Sequence, residues 1–377
     1  MLKIKPFKKP ILITRPILPD LDEVRNEIEK AWKSRWITNN GFRHQELEKK
    51  LKKVLKIPHI SLFNNGTIAL MTAVRSLKLS GEVITTPFTF AATPHVLSWN
   101  GLSPVFCDID PITMNIDVDK IEALITHQTS AILAVHVFGT PCDVKKIEMI
   151  ARRHKLKVVY DAAHAFGVEI DGKGIGENGD MTMYSFHATK LFHTGEGGAL
   201  ASKKDEIKKY IDVMKNFGIE NENKVSTVGI NGKMNELQAS LGIVVLKYMK
   251  KEREARKKIE VVYRKNLRDM DGIELLPEFS GVKKSFQYFV IRINAKQFGR
   301  SRDFVYQELK QYNVFARKYF YPLCSQYGCY SNLPSAQNNK LPVANAVVRE
   351  VLALPFYGGL KIEDVEKICD IIRSLKK

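Results

Sequence analysis

The sequence has few cysteines, five in 377 residues, at positions 107, 142, 324, 329 and 369. Their number is odd and no two of them form a Cys-x-x-Cys pair. Structural zinc sites and disulfide frameworks need paired or closely spaced cysteines, so the sequence predicts neither, and no other metal site is expected. Free thiols persist in a reducing compartment, and we therefore expect a cytoplasmic protein.

Long apolar runs are also missing. No stretch of about 18 uninterrupted apolar residues is present, which predicts that no segment spans a membrane. The N-terminal segment MLKIKPFKKPILITRP has basic residues but neither a long apolar core nor a small-residue cleavage site. It therefore does not resemble a secretory signal.

Acidic residues are outnumbered, with 41 Asp and Glu against 59 Lys and Arg, for a formal net charge of +18. Such an excess favours anionic partners, namely nucleic acid, an acidic membrane surface or phosphorylated small molecules. The lysines are scattered in doublets among glutamates, as in residues 247–258, which is typical of a solvated helix face. No zinc-finger or RRM signature is present, so we expect no direct binding to nucleic acid.

The middle of the chain alternates between two kinds of pattern. Short β-rich runs are separated by segments with helical spacing, over residues 67–79, 91–100, 117–125 and 143–155. This alternation predicts an α/β fold with a doubly wound, mostly parallel sheet. The predicted strands are 59–63, 82–86, 104–109, 131–138, 157–161, 181–186 and 197–202.

The pattern changes after the last of these strands. We predict one long helix or two over 235–268, a strand over 285–294, a helix over 300–313, a loop-rich stretch over 319–342, and closing helices around 341–353 and 361–376. The chain is accordingly divided into a large α/β domain over residues 1–250 and a smaller C-terminal α+β domain over residues 251–377. The first 40 residues are expected to wrap around the larger body.

One lysine has unusual surroundings. Lys190 follows a predicted buried strand and precedes the glycine-rich turn 194–198. Burial disfavours the ammonium form of a lysine, and a neutral amine can form a Schiff base with an aldehyde. The ordinary alternative is a surface lysine at the end of a strand.

Three other features also follow predicted strands. Asp161 ends a strand in the middle of the chain, where a carboxylate can pair with the ring nitrogen of pyridoxal phosphate or cap a helix. Gly66 and Thr67 open a helix, where free N–H groups favour a phosphate. Phe88 follows another strand and can stack on a planar ring or pack in the core. Together with Lys190, these residues describe a pyridoxal phosphate site more specifically than any one of them does.

Five motifs resemble the pyridoxal phosphate-dependent sugar aminotransferases of the DegT/DnrJ/EryC1/StrS family. The resemblance extends from about residue 34 to the C-terminus and implies fold type I, with a homodimer as the minimal functional unit. The motifs are SLFNNGTIAL, TTPFTFAAT, YDAAHAFG, YSFHATK with TGEGGAL, and GINGKMNELQASLG.

The resemblance implies a role for each matching residue. Lys190 would hold the cofactor covalently and move protons, and Asp161 would pair with its ring nitrogen. His164 would lie near the ring hydroxyl, and Phe88 would stack on the ring. The expected contacts to the phosphate are Gly66, Thr67 and the hydroxyl of Ser185, with Asn231 reaching the phosphate of the partner subunit.

The matched motif also departs from the family at one place. The family often has Asn-Tyr-Arg-Met where this chain has Asn231-Gly232-Lys233-Met234. The smaller glycine and the shorter cation weaken the expectation that this position contacts a substrate phosphate.

Three segments, SRWITNNGFRHQELE, NNGT and RKYFYPL, resemble the branch of the family that aminates C4 of dTDP-4-keto-6-deoxyglucose. That branch uses glutamate, releases 2-oxoglutarate, and makes dTDP-4-amino-4,6-dideoxyglucose for the O-antigen of lipopolysaccharide. Ketones at C3 and UDP-sugars are alternative substrates within the family, and a non-catalytic regulatory homologue is an alternative of another class. The expected substrate contacts are Trp36, Asn39, Asn40, Lys318, Phe320 and Tyr321, although the aromatic residues among them can equally pack the smaller domain.

Overall fold

A computed structural model describes residues 4–377 of the chain. It contains eleven α-helices and fifteen strands within that range. The helices are α1 Leu21–Ser34, α2 Phe42–Leu55, α3 Gly66–Ser76, α4 Ala92–Trp99, α5 Val144–His154, α6 Asp205–Met214, α7 Glu236–Leu267, α8 Ala295–Phe298, α9 Arg302–Gln311, α10 Pro342–Val347 and α11 Ile362–Ser374. The strands are β1 His59–Phe63, β2 Glu82–Thr85, β3 Ser103–Phe106, β4 Thr129–Val135, β5 Lys157–Asp161, β6 Glu169–Ile170, β7 Lys173–Gly174, β8 Met181–Ser185, β9 Gly198–Ser202, β10 Ile219–Asn221, β11 Lys224–Val225, β12 Ile273–Leu275, β13 Val282–Lys283, β14 Phe289–Ile293 and β15 Val351–Leu354.

Seven strands form the central sheet in the order β1-β9-β8-β5-β4-β2-β3. Strand β9 runs antiparallel to both of its neighbours, β1 and β8, whereas β8, β5, β4, β2 and β3 pair with one another in parallel. The predicted α/β fold with a mostly parallel sheet is therefore confirmed. Because the carboxyl ends of parallel strands lie at one edge of a sheet, the residues that follow β1, β2, β5 and β8 come together there.

Both faces of this sheet are covered by helices. Alternate residues of a strand point to opposite faces, and β5 shows this directly. Val158 and Tyr160 pack in the core on the side of α2, α5 and α7, whereas Val159 packs in the core on the side of α3 and α4. Strands buried on both faces are apolar throughout, which is why the sequence shows them as continuous runs.

The C-terminal part has a second sheet, ordered β12-β14-β15, against which α7, α9 and α11 pack. The helix predicted over 341–353 is wrong beyond Val347, where α10 ends, because residues 351–354 form β15. All four residues of β15 are buried, with Leu352 and Leu354 in one core cluster and Val351 and Ala353 in another. Pairing with β14 and burial on both sides select the strand.

Other predicted elements also differ in detail. The helix predicted over 117–125 is replaced by two 3-10 turns, Val118–Lys120 and Glu122–Leu124. The strand predicted over 131–138 ends at Val135, and the one predicted over 285–294 is shorter, Phe289–Ile293.

The first 40 residues contact more than the larger body. Residues 7–13 hydrogen-bond to the C-terminal part, where Ile11 N donates to Asn313 O at 2.9 Å and Ile11 O accepts from Phe315 N at 2.8 Å. Helix α1 lies on α7, where the hydroxyl of Tyr248 donates to Glu23 at 2.6 Å. The segment thus bridges the regions that the sequence assigns to two domains.

The 32-residue helix α7 runs through residue 250, at which the two predicted domains meet. It is a single helix and begins with a capping box, in which the side chains of Asn235 and Gln238 each accept from the other residue's backbone N–H. The division into residues 1–250 and 251–377 stays a prediction. Within residues 4–377, no helix has the length and apolar character needed to cross a bilayer.

We predict that Leu352→Ala lowers the free energy of unfolding by about 2–5 kcal/mol, because it opens a cavity at a fully buried position of β15. The control is Leu18→Ala, at a side chain that is 80% exposed, where a change within about 0.5 kcal/mol is expected. Urea denaturation followed by circular dichroism measures both. Equal midpoints for the two variants would contradict the placement of β15 in the core.

Candidate active site

A cleft of about 630 Å³ opens at the carboxyl edge of the central sheet. Segments that follow β1, β2, β5 and β8 line it on one side, and residues of the C-terminal part close it on the other. Seven residues predicted from the sequence line this cleft together, namely Gly66, Thr67, Asp161, His164, Ser185, Lys190 and Phe320.

Lys190 lies in the loop that follows β8, and its backbone N–H donates to His187 O at 2.8 Å. Burial lowers the pKa of its ammonium group, and the charge of Asp161 partly opposes that shift. A lowered pKa raises the fraction of neutral amine near neutral pH, and the neutral amine is the form that reacts with a carbonyl.

Asp161 ends β5 and is buried. Its Oδ1 accepts from Ala163 N at 3.0 Å and its Oδ2 accepts from the hydroxyl of Thr93 at 2.9 Å. Burial raises the pKa of the carboxyl, while these two hydrogen bonds and Lys190 lower it in part. A buried carboxylate with so few donors is stabilised by a cation placed beside it.

The Thr93 hydroxyl, which donates to Asp161, is itself hydrogen-bonded to a second hydroxyl, that of Thr89. Thr93 uses its one hydrogen on the carboxylate, so the contact of 2.8 Å between the hydroxyls of Thr89 and Thr93 makes Thr89 the donor. Both threonines are buried. Thr89, in the segment after β2, and Thr93, in α4, thus hold the orientation of the Asp161 side chain.

His164 lies one turn beyond Asp161 and is neutral, because burial lowers its pKa well below the ordinary value. Its Nδ1 accepts from Phe138 N at 3.3 Å, which places the ring hydrogen on Nε2. The ring is parallel to that of Phe320, with 5.9 Å between centroids, and meets Tyr288 edge-on at 4.9 Å. His164 therefore presents a fixed N–H donor among aromatic rings.

The turn between β1 and α3 forms an anion cradle. The side chain of Asn65 caps α3 by accepting from Ile68 N at 2.8 Å. The first N–H groups of the helix, those of Gly66 and Thr67, have no acceptor within the helix and favour an anion. Ser185, at the end of β8, adds a hydroxyl to the same wall of the cleft.

Gly198, in the glycine-rich turn, is required for this cradle. A Cβ atom at position 198 would lie 2.7 Å from the carbonyl carbon of Asn65 and 2.7 Å from the Cα of Gly66. Real Cβ atoms do not approach other atoms that closely, so only glycine lets β9 pack beneath the cradle.

The structure places Phe88, the predicted stacking residue, outside the cleft. Phe88 is fully buried, with its ring edge-on to Phe320 at 5.4 Å and to Phe138 at 6.1 Å, and it does not line the cleft. Phe90, two residues later, lines the cleft and is 65% exposed. The sequence contains both rings in one motif, and only the course of the chain after β2 distinguishes them.

Lys318 and Tyr321, two of the predicted substrate contacts, also lie outside the cleft. The amine of Lys318 is 3.2 Å from the carboxylate of Asp303 and 4.9 Å from the ring centroid of Tyr321. Tyr319, between Lys318 and Phe320 in the chain, lines the cleft together with Tyr288, and burial raises the pKa of both hydroxyls. The sequence signals for Tyr319 are its place in the RKYFYPL segment and the aromatic composition of the loop-rich stretch, and none indicates Tyr288.

The remaining predicted residues lie on one surface beside the site. Trp36 is 57% exposed and donates from its indole to Asn39 O at 3.3 Å, and Asn40 and Asn231 are also exposed. This surface adjoins the cradle, since Asn64 N donates to Gly232 O at 2.8 Å. None of these four residues lines the cleft of its own chain.

Gln238 is a supporting residue that the sequence did not indicate. Its Nε2 donates to Asn64 O at 3.2 Å and to Glu196 O at 2.7 Å. The first turn of α7 therefore ties the cradle to the glycine-rich turn. Within residues 4–377, no group of three His, Cys, Asp or Glu side chains is arranged to hold a metal ion.

Comparison with known proteins yields close relatives over the whole length. The chain is 47% identical over 367 residues to a dTDP-4-amino-4,6-dideoxy-D-glucose transaminase of Escherichia coli, covering 97% of this chain and 98% of that protein. It is 45% identical over 370 residues to the transaminase of the same name from Shigella dysenteriae, covering 98% and 100%.

A solved structure is also similar, that of DesI in the presence of its TDP-sugar product. It superposes with a TM-score of 0.93 at 33% identity and covers 98% of this chain and 94% of that one. The model of the DegT/DnrJ/EryC1/StrS aminotransferase family matches residues 20–373. The family expected from the motifs is thus confirmed, and the chain belongs to the DegT/DnrJ/EryC1/StrS aminotransferase family.

Proposed function

We propose that this protein is a pyridoxal phosphate-dependent enzyme that transfers the amino group of glutamate to C4 of dTDP-4-keto-6-deoxyglucose. The product is dTDP-4-amino-4,6-dideoxyglucose, and the other product is 2-oxoglutarate. The observation that carries the proposal is that the Lys190 amine, the Asp161 carboxylate and the anion cradle at α3 face one cleft. The names of the relatives at 45–47% identity support this choice of sugar and of carbon atom.

The residues of the cleft fit pyridoxal phosphate. The N–H groups of Gly66 and Thr67 and the hydroxyl of Ser185 would hold the phosphate, and Asp161 would hold the protonated ring nitrogen. Phe90, rather than Phe88, would lie on the ring. When bound, the cofactor supplies an aldehyde that captures the amino donor and a cationic ring that takes up the electrons of the broken C–H bond.

Lys190 is the group that moves the proton. Its lowered pKa allows the amine to accept a proton from Cα of glutamate and later to donate one to the sugar carbon. Asp161 keeps a positive charge in the site while this happens, because a carboxylate that has lost its water is stabilised by a neighbouring cation. His164, which is neutral, donates its Nε2–H without adding charge.

A second subunit would complete the site. Trp36, Ile37, Ile230 and Leu237 expose apolar side chains, and Glu236 N donates to Ile37 O at 3.0 Å, so the loop and the start of α7 share one surface. Exposed apolar patches of this kind mark interaction sites. A homodimer formed there would place Asn231 of one chain beside the cradle of the other.

Three further assignments stay predictions. Contacts of Trp36, Asn39, Lys318 and Tyr321 with the nucleotide sugar require a partner subunit or a rearrangement around the cleft. A cytoplasmic location agrees with the five cysteines, all of which are free thiols in the structure. A role in O-antigen synthesis follows from the nature of the product in the resembling branch.

We predict that the purified protein loaded with cofactor converts dTDP-4-keto-6-deoxyglucose in preference to C3-keto and UDP-linked sugars. A panel of keto-sugar nucleotides with glutamate, read by mass and by NMR of the product, measures this.

We predict that Lys190→Ala removes turnover and the visible absorption of the bound cofactor, whereas Lys258→Ala, at an exposed lysine, leaves both intact. Full turnover in Lys190→Ala would refute the proposal.

We predict opposite effects of Asp161→Asn on the empty and the loaded protein. A carboxyl whose pKa is raised by folding contributes stability at low pH, and this is lost as pH rises through the raised pKa. Asparagine cannot ionise and so avoids the cost of a buried negative charge at position 161. The cofactor-free variant therefore melts higher than wild type above neutral pH, and the difference in melting midpoint shrinks on acidification. Its amide can donate to Thr93 and still accept from Ala163.

The loaded Asp161→Asn enzyme, in contrast, loses the partner of the ring nitrogen. Glutamate-driven single turnover slows by about 100-fold or more, corresponding to about 3 kcal/mol. Scanning calorimetry at several pH values and stopped-flow absorption test the two halves. An unchanged single-turnover rate would remove Asp161 from the proposed role.

We predict that the two phenylalanines of the TTPFTFAAT motif separate stability from cofactor binding. Phe88→Ala lowers the free energy of unfolding by about 3–5 kcal/mol, because its ring is fully buried. Phe90→Ala leaves stability near that of wild type and weakens retention of the cofactor on dialysis. Cofactor loss from a stable Phe88→Ala protein, with normal retention by Phe90→Ala, would restore the assignment made from the sequence.

A further inference from the structure

Gln287 is a buried side chain to which the proposed reaction assigns no role. It lies in the segment just before β14 and immediately precedes Tyr288, which lines the cleft. Its carboxamide contacts the loop between β8 and β9 that carries Lys190.

Two hydrogen bonds join this carboxamide to the peptide units on either side of Lys190. Leu191 N donates to Oε1 of Gln287 at 2.6 Å, and Nε2 of Gln287 donates to Thr189 O at 3.1 Å. The carbonyl belongs to the peptide unit before the Cα of Lys190, and the N–H belongs to the unit after it. Because peptide units are planar, fixing both of them fixes the direction of the lysine Cα–Cβ bond.

The loop restrains the peptide unit before the Cα of Lys190 through a hydrogen bond of its own, whereas the Leu191 N–H of the following unit is held by Gln287. Residues 186–197 are in neither helix nor strand. Lys190 N donates to His187 O at 2.8 Å, and Thr194 N donates to Phe186 O at 3.0 Å. The Thr189 carbonyl and the Leu191 N–H are directed by Gln287, which lies about a hundred residues further along the chain.

Gln287 is itself held rigidly. Its backbone N–H donates to Oγ of Ser285 at 3.2 Å, and the guanidinium of Arg256 donates to Phe286 O at 3.2 Å and to Gln287 O at 3.4 Å. Arg256, on α7, is buried and paired with Glu252 at 2.6 Å. The position of the carboxamide is therefore set by α7 and the C-terminal sheet.

We propose that Gln287 is a positioning residue, which aims the Lys190 amine into the cleft by holding both peptide units that flank it. The inference rests on the proposed function of Lys190. Through Gln287 the C-terminal part acts on the proton-transferring group without touching substrate or cofactor. Displacement of a reacting group by about 1 Å can cost about 100-fold in rate, so a single carboxamide is sufficient to matter.

The test uses the holoenzyme and two variants. Gln287→Leu removes both hydrogen bonds. Gln287→Glu keeps an oxygen that accepts from Leu191, but as a carboxylate it has no hydrogen for Thr189 O, and protonation restores that donor. The matched control is Gln326→Leu, since Gln326 also accepts from one backbone N–H, that of Leu323 at 3.2 Å, and donates to one oxygen, that of Asn345 at 3.0 Å.

Three quantities are measured, namely the melting midpoint, the pH midpoint of the visible absorption of the bound cofactor without substrate, and the single-turnover rate with glutamate. For Gln287→Leu we expect a melting midpoint below that of the control, because the buried Leu191 N–H loses its acceptor, together with a shifted pH midpoint and a rate about 10–100-fold lower. For Gln287→Glu we expect a rate deficit, relative to wild type at the same pH, that shrinks as the pH falls.

Two results would overturn the positioning role. One is a Gln287→Leu enzyme whose pH midpoint and rate equal those of Gln326→Leu. The other is a Gln287→Glu deficit that is absent or independent of pH, and this comparison decides the matter within one preparation if the leucine variant does not fold. A wild-type protein without visible absorption would instead refute the proposed function, which distinguishes the two failures.

Discussion

A negative charge buried at the end of a central strand is the constraint on which the site depends. Asp161 has two hydrogen-bond donors and little water, so its ionised form has a high energy until a cation lies beside it. The same burial lowers the pKa of Lys190 and keeps His164 neutral. Burial in one cleft thus raises the energy of the Asp161 carboxylate, favours the neutral amine of Lys190 and leaves His164 uncharged.

The sequence predicted the parts of the protein in which local pattern and tertiary structure agree. Strands buried on both faces are continuous apolar runs, which is why β1, β2, β4, β5, β8 and β9 were located to within a few residues. Functional residues at the ends of such strands can also be predicted, since a polar residue that ends an apolar run is easily recognised in the sequence. Asp161, Lys190 and the Gly66 turn were found in this way and lie in one cleft.

The sequence did not predict what depends on distant contacts. Residues 351–354 have the composition of a helix continuation and become a strand only because β14 offers a partner. Phe88 and Phe90 are separated by two positions, and the turn after β2, not the motif, decides which of them reaches the cleft. Tyr288 and Gln287 come from a segment about a hundred residues after Lys190, so no local spacing relates them to it.

The length and continuity of helix α7 restrict how the two sheets can move relative to each other. Its 32 residues extend about 48 Å, with Gln238 at one end tied to the cradle and Arg256 further along tied to the segment that carries Gln287. A continuous helix resists bending, so the two sheets that it connects cannot swing apart as freely hinged bodies. The separation between the Gly66 turn and the segment that carries Gln287 is therefore set by the length of one rigid helix.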